Sequence, residues 1–469
     1  MNIASIVMIG YLVIVTVIGY VASRGGKGVR EFMVAGANLP WTMLVPFLVA
    51  ERISSTTMVG IAEMAHGFGL QTLWRLIASP IGICFLVFGM AKFYKVIRPV
   101  TLGESFGMLF DKKTHLVAVV FLLLSTMLVM GGSSLATGAI IGPVFNIPYV
   151  PAVWISAAAL SALALLGLRG IAWMNMVHLA VIFICIVPGF VAVLNAGGGL
   201  GNVLASLPSE HLNLFRPGGL KVGAWFTGSV GYTLVSTTAV LAVLAAKDEK
   251  NARIGGLAAG MFLFLFTMLP LIMGLTAYVI MPDIPSKLAF WEIVEYCGPV
   301  ISSMAAIGCV AAVVSTTPGV YLALGSIFAR DIFLLIKPDA SERTQLTVTR
   351  FAIPVIAFIG TWFALTQPTI MELGFRNTQM KLLLGIILAV CVLWRRISSA
   401  AALWTLILGG GVGFIWWFAD LPFGIPPMYP MLAVAIPTMV IASLIKRPSP
   451  FKGTEGLDLT LDTERGQRT

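Results

Sequence analysis

Glu51 and Arg52 stand at the middle of an apolar run from about 39 to 66, and Ser54, Ser55, Thr56 and Thr57 follow directly. A charge at bilayer depth costs about 2.5–3.5 kcal/mol on insertion scales, so it persists mostly where it has a task. The hydroxyls beside it predict a helix that opens there to hold something polar, two half-helices meeting at an unwound joint. A buried helix with a snorkelling or internally paired charge is the other reading of the same residues. A second cluster runs from Thr227 through Ser229, Tyr232 and Thr233 to Ser236, Thr237 and Thr238. A third, Ser315, Thr316 and Thr317, precedes Pro318, whose ring and missing amide bend a helix. Ser315 and Thr316 are adjacent, about 100° apart on a helix, and can present two oxygens to one small hard cation. Ser and Thr in membrane helices also back-bond to the i−4 carbonyl or pack between helices, so each cluster alone is ambiguous.

Arg52 needs an anion. Three and four residues away on either side stand Leu48, Val49, Ser55 and Thr56, none of them acidic. Glu51 is adjacent and faces Arg52 only if the backbone unwinds there. No carboxylate occurs between Lys221 and Lys247 or between Cys297 and Arg330. The acceptor is then Glu51 through unwinding, a residue of a distant span, or a substrate carboxylate, which offers the guanidinium a bidentate partner. On the last reading Arg52 and Glu51, with Thr57, Tyr232 and Ser236, bind a small organic acid or amino acid.

The elements that must position these residues are membrane helices. With 58% hydrophobic and 11% charged residues and a mean hydropathy of +0.96, the chain needs lipid as its solvent, which excludes an ordinary soluble domain. Windows of about 20 apolar residues place thirteen spans. They lie near 2–22, 40–66, 72–94, 114–142, 150–167, 171–195 and 221–246, then 254–281, 297–330, 346–366, 377–394, 398–418 and 427–446. They make one transmembrane domain over 1–446, followed by a polar tail, 447–469, predicted to be disordered.

Basic residues follow every odd-numbered span: Arg24 and Lys27, Lys92 to Lys113, Arg169, Lys247 to Arg253, Arg330 to Arg350, Arg395 and Arg396, and Lys446 to Lys452. The positive-inside rule then puts the amino terminus outside and the carboxyl terminus in the cytoplasm, in a multi-pass protein of the cell (inner) membrane. The net charge of +10 is therefore topological, and no nucleic-acid partner is read from it. The first span has no basic residues before it and fits a retained anchor better than a signal peptide. The five cysteines are scattered without metal or redox spacing, and the four histidines form no HExxH and no Ser-His-Asp order. With no nucleophile–base set and no ATP motif, an enzyme is not expected. The partners expected are a small-molecule solute and the bilayer, with no obligate protein partner evident.

Two broken helices five spans apart enter from opposite sides, because five is odd. That arrangement predicts an inverted repeat of spans 2–6 (about 40–195) and 7–11 (about 221–394), each opening with a broken helix.

Several stretches, taken in order, resemble the sodium:solute symporter family. They are Arg30 to Gly36 before span two, Gly60 through Gly69 and Leu70 at its exit, and Gly167 to Trp173 opening span six. Ala245 to Lys247 with Asn251 to Arg253 closes span seven, and Ser315 and Thr316 stand sixteen residues before Asp331, Ile332 and Phe333. The resemblance covers most of the first ten or eleven spans and implies a five-plus-five, leucine-transporter-type fold. It further implies a sodium site between the first broken helix and span nine. Carried over residue by residue, that site uses the carbonyls of Ala50, Ile53 and Ala312 and the hydroxyls of Ser315 and Thr316, with Na+ as the coupling ion.

The chain also departs from the family. Asn175 and His178 stand where Asp and Gln are frequent, so one coupled sodium is expected rather than two. Arg52 replaces Asn, Asp or Glu, and Ala242 replaces a frequent Arg. A fixed cation so near the ion carbonyls repels sodium, which keeps a sodium-independent exchanger or a proton-coupled carrier as the alternative. A non-transporting membrane sensor of the same fold is the rival from another class. The expected function is secondary active, sodium-coupled symport of a small organic solute by alternating access.

Overall fold

Helices satisfy their own amides and carbonyls, which is what long apolar runs require in lipid. The computed structural model describes residues 3–24, 38–99, 101–216, 218–366, 370–394, 397–419 and 422–445, and all regular elements within them are helical. The stretch Arg30 to Gly36, Arg395, Arg396 and the tail from Arg447 lie outside the described residues, as does the side chain of Glu51.

In chain order the helices are α1 (Ile3–Ser23), α2 (Trp41–Arg52), α3 (Ser55–Phe68) and α4 (Leu73–Cys84), which runs on through a π turn. A short α5 (Leu102–Leu109) precedes α6 (Lys112–Phe145), α7 (Tyr149–Ala164) and α8 (Gly167–Ala196). Then come α9 (Gly219–Leu234), α10 (Thr237–Ala245), α11 (Glu249–Ile280) and α12 (Pro299–Ile327). The bundle ends with α13 (Glu342–Leu365), α14 (Ile370–Leu393), α15 (Gly410–Phe418) and α16 (Met428–Ile445). Among the described residues, ten helical stretches are long and apolar enough to cross a membrane, and two shorter apolar helices, Tyr149–Ala164 and Asn377–Leu393, accompany them. One of the ten, Thr57–Ile97, runs through a turn at Gly69, so it holds parts of two sequence-predicted spans. Gly69 takes φ +74°, and a Cβ there would collide with the backbone of His211; the turn requires glycine.

Both helices expected to break do so, each over two residues. α2 ends at Arg52 and α3 begins at Ser55, with Ile53 at φ −84°, ψ 80° and Ser54 at φ −98°, ψ 164°. Ser54 caps α3, its Oγ accepting from the Thr57 amide at 3.1 Å. The second break falls at Val235 and Ser236, between α9 and α10. α12 runs through Pro318 without interruption and packs along α8, and it also meets α2 and α3.

Arg98, Lys112, Lys247 and Arg330 gather at one end of the bundle, the basic end, where the start of α2 is stapled to the end of α10. Leu39 donates its amide to Ala245 O at 2.8 Å, and Lys247 returns one to Leu39 O at 2.8 Å. Lys95 donates from Nζ to Leu244 O at 3.2 Å and also to Ala246 O. Asp248 caps α11, and the backbone and side-chain N–H groups of Asn251 hold its carboxyl below the usual carboxylate range. A second knot joins α5, α6 and the end of α12: Asp331 accepts from Thr101 at 2.6 Å and meets His115 Nε2 at 3.1 Å, while Arg330 reaches Glu104 at 3.1 Å.

Candidate functional site

A cavity of about 220 Å³ lies between the two breaks. Arg52, Ser54 and Thr57 line it from the first, Ser229 and Tyr232 from the second, and Thr316 from α12. It extends past Ile61 and Leu76 to Arg75 in the first turn of α4 and Trp225 in the second turn of α9, away from the basic end. Phe47, Leu48 and Val240, toward the basic end of the two broken helices, are buried.

Electrostatics in this cavity centre on Tyr232. The Arg52 guanidinium carbon lies 5.0 Å from the ring centroid, and the Lys381 ammonium of α14 lies 5.2 Å from it. Lys381 is 2% exposed. The two distances bound the separation of the charges at about 10 Å, where an effective dielectric near 20 leaves roughly 2 kcal/mol of repulsion. Contact with the ring face offsets a part of that, typically about 0.5–2 kcal/mol per cation. An anion held by the two groups reverses its sign. The described lining holds two cations, Arg52 and Arg75, whose Nη1 lies 3.3 Å from Met64 Sδ; it includes neither Lys381 nor a carboxylate.

Of the residues expected to bind substrate, Arg52, Thr57 and Tyr232 share this one cavity. Thr57 also has structural work: its hydroxyl donates to the Arg52 carbonyl at 2.8 Å and lies 3.0 Å from Ser54 Oγ. Ser236 sits at the second break, 1% exposed, and is not among the lining residues. The expected sodium ligands converge in part. Ser315 and Thr316 both donate to Ala312 O, at 2.8 and 3.0 Å, which places three of the five oxygens together on α12. Ile53 is fully buried at the first break, and Ala50 lies in the last turn of α2, where carbonyls run out of intrahelical donors. Among the described residues no cluster of three or more His, Cys, Asp or Glu could hold a metal.

His178, which stands where Gln is frequent in the family, is fully buried and bonds through Nδ1 to the Tyr11 hydroxyl, tying α1 to α8. Lys381, Asn377 and Arg75 were not reached from the sequence. A lone lysine in an apolar window carries the same signal as Arg52 and marks Lys381 on that ground. Asn377 is 3% exposed, and its Oδ1 has no hydrogen-bond partner among the described residues.

A broken-helix bundle with a polar cavity at its joints defines a membrane carrier. The sodium:solute symporter family model matches residues 32–409, and the chain belongs to that family. A sodium/glucose cotransporter of Vibrio parahaemolyticus is 23% identical, covering 92% of this chain and 88% of that protein. A sodium/proline symporter of Haemophilus influenzae is 22% identical over 93% of each. Among solved structures, a Na+-coupled sialic acid symporter in a substrate-bound, outward-open state superposes with a TM-score of 0.77. It shares 16% identity and covers 96% of this chain and 99% of its own. A nucleobase-cation-symport-1 family transporter superposes at 0.61 and 13% identity, over 90% of this chain and 97% of its own. These likenesses show an all-helical, leucine-transporter-type fold. The chain is a multi-pass membrane protein of a family of sodium-coupled solute transporters, not of enzymes.

Proposed function

We propose that this protein is a secondary active transporter that uses the inward sodium gradient to take up a small organic acid or amino acid by alternating access. The observation that carries this is the placement of Arg52 against Tyr232 in a cavity walled by both helix breaks. A substrate carboxylate there meets a guanidinium in a low-dielectric site, where charge-assisted bonds are strongest. Arg52, Glu51, Thr57, Tyr232 and Ser236 form the substrate set in this reading, and Ala50, Ile53, Ala312, Ser315 and Thr316 the sodium set. The latter needs Ser315 and Thr316 to turn from Ala312 O toward the ion.

Thirteen crossings, an inverted repeat over 40–195 and 221–394, an external amino terminus and a cytoplasmic carboxyl terminus complete the proposal. The alternation of basic loops supports it. The cavity then faces outward, and the staple at Leu39, Lys95 and Ala245 closes the cytoplasmic side. Relatives named for proline and glucose show that the family scaffold alone does not choose the solute. A guanidinium in the cavity lining supports an acid over a neutral sugar. Uptake of labelled carboxylic and amino acids into proteoliposomes, under an inward sodium gradient or choline, tests this. Uptake requires sodium and is abolished in Arg52→Gln; equal uptake in choline excludes the coupling, and full activity of Arg52→Gln excludes the substrate contact.

A further inference from the structure

The hydroxyls in the helices around the cavity fall into two groups. Ser134, Thr233 and Thr267 donate to the carbonyl four residues earlier, as polar residues in membrane helices commonly do. Ser79, Ser133 and Ser229 line the cavity, and their side chains make no hydrogen bond among the described residues. Asn377, also in the lining, is 3% exposed, and its Oδ1 is likewise without a partner there. These four neutral groups come from four helices, α4, α6, α9 and α14. Resting on the organic-acid reading above, we propose that they recognise hydroxyl groups, and that the solute is a hydroxylated carboxylic acid with its carboxylate at Arg52. A hydroxyl both donates and accepts, so it answers a serine hydroxyl or either end of the Asn377 amide.

Packing sets the level of these groups. A Cβ at Gly82 would stand 2.7 Å from Thr233 Oγ1, and one at Gly228 would stand 3.2 Å from Thr378 Cγ2, so α4 and α14 both press on α9. α4 and α9 start from the same end of the bundle. Ser79 and Ser229, one turn before Gly82 and Thr233, are therefore neighbours, and Asn377 stands beside Gly228. Tyr232, whose ring carries the Arg52 guanidinium, follows Ser229 by three residues, about 4.5 Å along the axis. Hydroxyl oxygens on the third and fourth carbons of a four-carbon acid lie about 3–5 Å from its carboxyl carbon by ordinary bond lengths. A carboxylate at Arg52 brings them to the level of Ser79, Ser229 and Asn377. A methylene at that level displaces water without replacing its hydrogen bonds, which loses affinity. An ammonium finds acceptors there but no counter-charge, since all four groups are neutral.

Thermal shift of the purified full-length protein in sodium, with butyrate, 3-hydroxybutyrate, 4-hydroxybutyrate and 4-aminobutyrate, tests the proposal, since a ligand stabilises the folded state by an amount set by its affinity. Wild type should bind at least one hydroxy acid roughly five- to tenfold more tightly than butyrate, the contribution of one net hydrogen bond. It should bind 4-aminobutyrate no more tightly than butyrate. Ser79→Ala, Ser229→Ala and Asn377→Leu should each lower the ratio of hydroxy acid to butyrate affinity toward one. Equal affinities for butyrate and both hydroxy acids overturn the proposal and leave the organic-acid reading standing. A hydroxyl preference that survives all three substitutions, or tightest binding of 4-aminobutyrate, overturns it as well. If none of the four acids stabilises the protein, both fall. Should a variant fail to fold, the wild-type ratio and the remaining variants decide.

Discussion

The hydroxyl of Thr57 donates to the carbonyl of Arg52 at 2.8 Å, across the two residues at which the first broken helix opens. Arg52 is the last residue of α2 and Thr57 lies in the first turn of α3, so one side-chain bond joins the two half-helices. Carbonyls in the last turn of a helix run out of intrahelical donors, and this bond supplies one at the joint. Thr57 thus holds the backbone that aims Arg52 while lining the cavity itself.

Removing that donor takes a hydrogen bond out of the joint, a loss of about 0.5–1.5 kcal/mol. Thr57→Val keeps the shape and loses the bond; it should lower the melting temperature and weaken acid binding together. Thr57→Ser should restore both. A valine variant as stable as wild type would show that the break needs no staple.

Sodium affinity should depend on two hydroxyls. Ser315→Ala and Thr316→Ala each remove an oxygen that now donates to Ala312 O. Each should raise the sodium concentration for half-maximal uptake five- to a hundredfold, the equivalent of about 1–3 kcal/mol. Unchanged sodium dependence in both would move the ion elsewhere.

Much of this site was legible in the sequence, and the reason is local. A charge or hydroxyl cluster inside an apolar run is costly wherever the run folds, so Arg52, Tyr232, Ser315 and the two breaks could be marked before any packing was known. The family resemblance added the pairing of Ala50 and Ile53 with α12. What the sequence could not supply was which side chains from distant helices share a space. Lys381 reaches the ring of Tyr232 only because α14 packs against α9. Ser236, equally visible as a hydroxyl, is buried at the second break and is not among the lining residues. Thr57 was read for its hydroxyl, but its bond to Arg52 depends on how two residues unwind.

The staple at the basic end should set the balance between outward- and inward-open forms. Lys95 donates to carbonyls at the end of α10, and hydrogen bonds from charged donors contribute about 1.5–3 kcal/mol. Lys95→Met should shift the population toward opening at that end by the same amount. With the five native cysteines replaced, a cysteine at Val240, buried here, should then react with a thiol reagent at least several-fold faster. Unaltered labelling would mean that Lys95 closes nothing.

Topology follows from the alternation of basic loops. On the same cysteine-free background, Asp283→Cys, in the exposed loop after α11, should react with an impermeant reagent added outside intact cells. Ser341→Cys, exposed before α13 at the basic end, should not. The reverse pattern would invert the orientation and the direction of transport.

Sodium-dependent binding of an acid is the central claim, and one measurement addresses it most directly. Purified protein is melted with a panel of small carboxylic acids, amino acids and neutral sugars, once in sodium and once in choline. A ligand present at a hundred times its Kd adds about 2.7 kcal/mol to folded-state stability, well within the reach of a melting curve. Carboxylates should raise the melting temperature in sodium, with little effect in choline, and neutral sugars should do nothing in either. Stabilisation by a sugar alone, or by acids equally in both salts, would contradict the account.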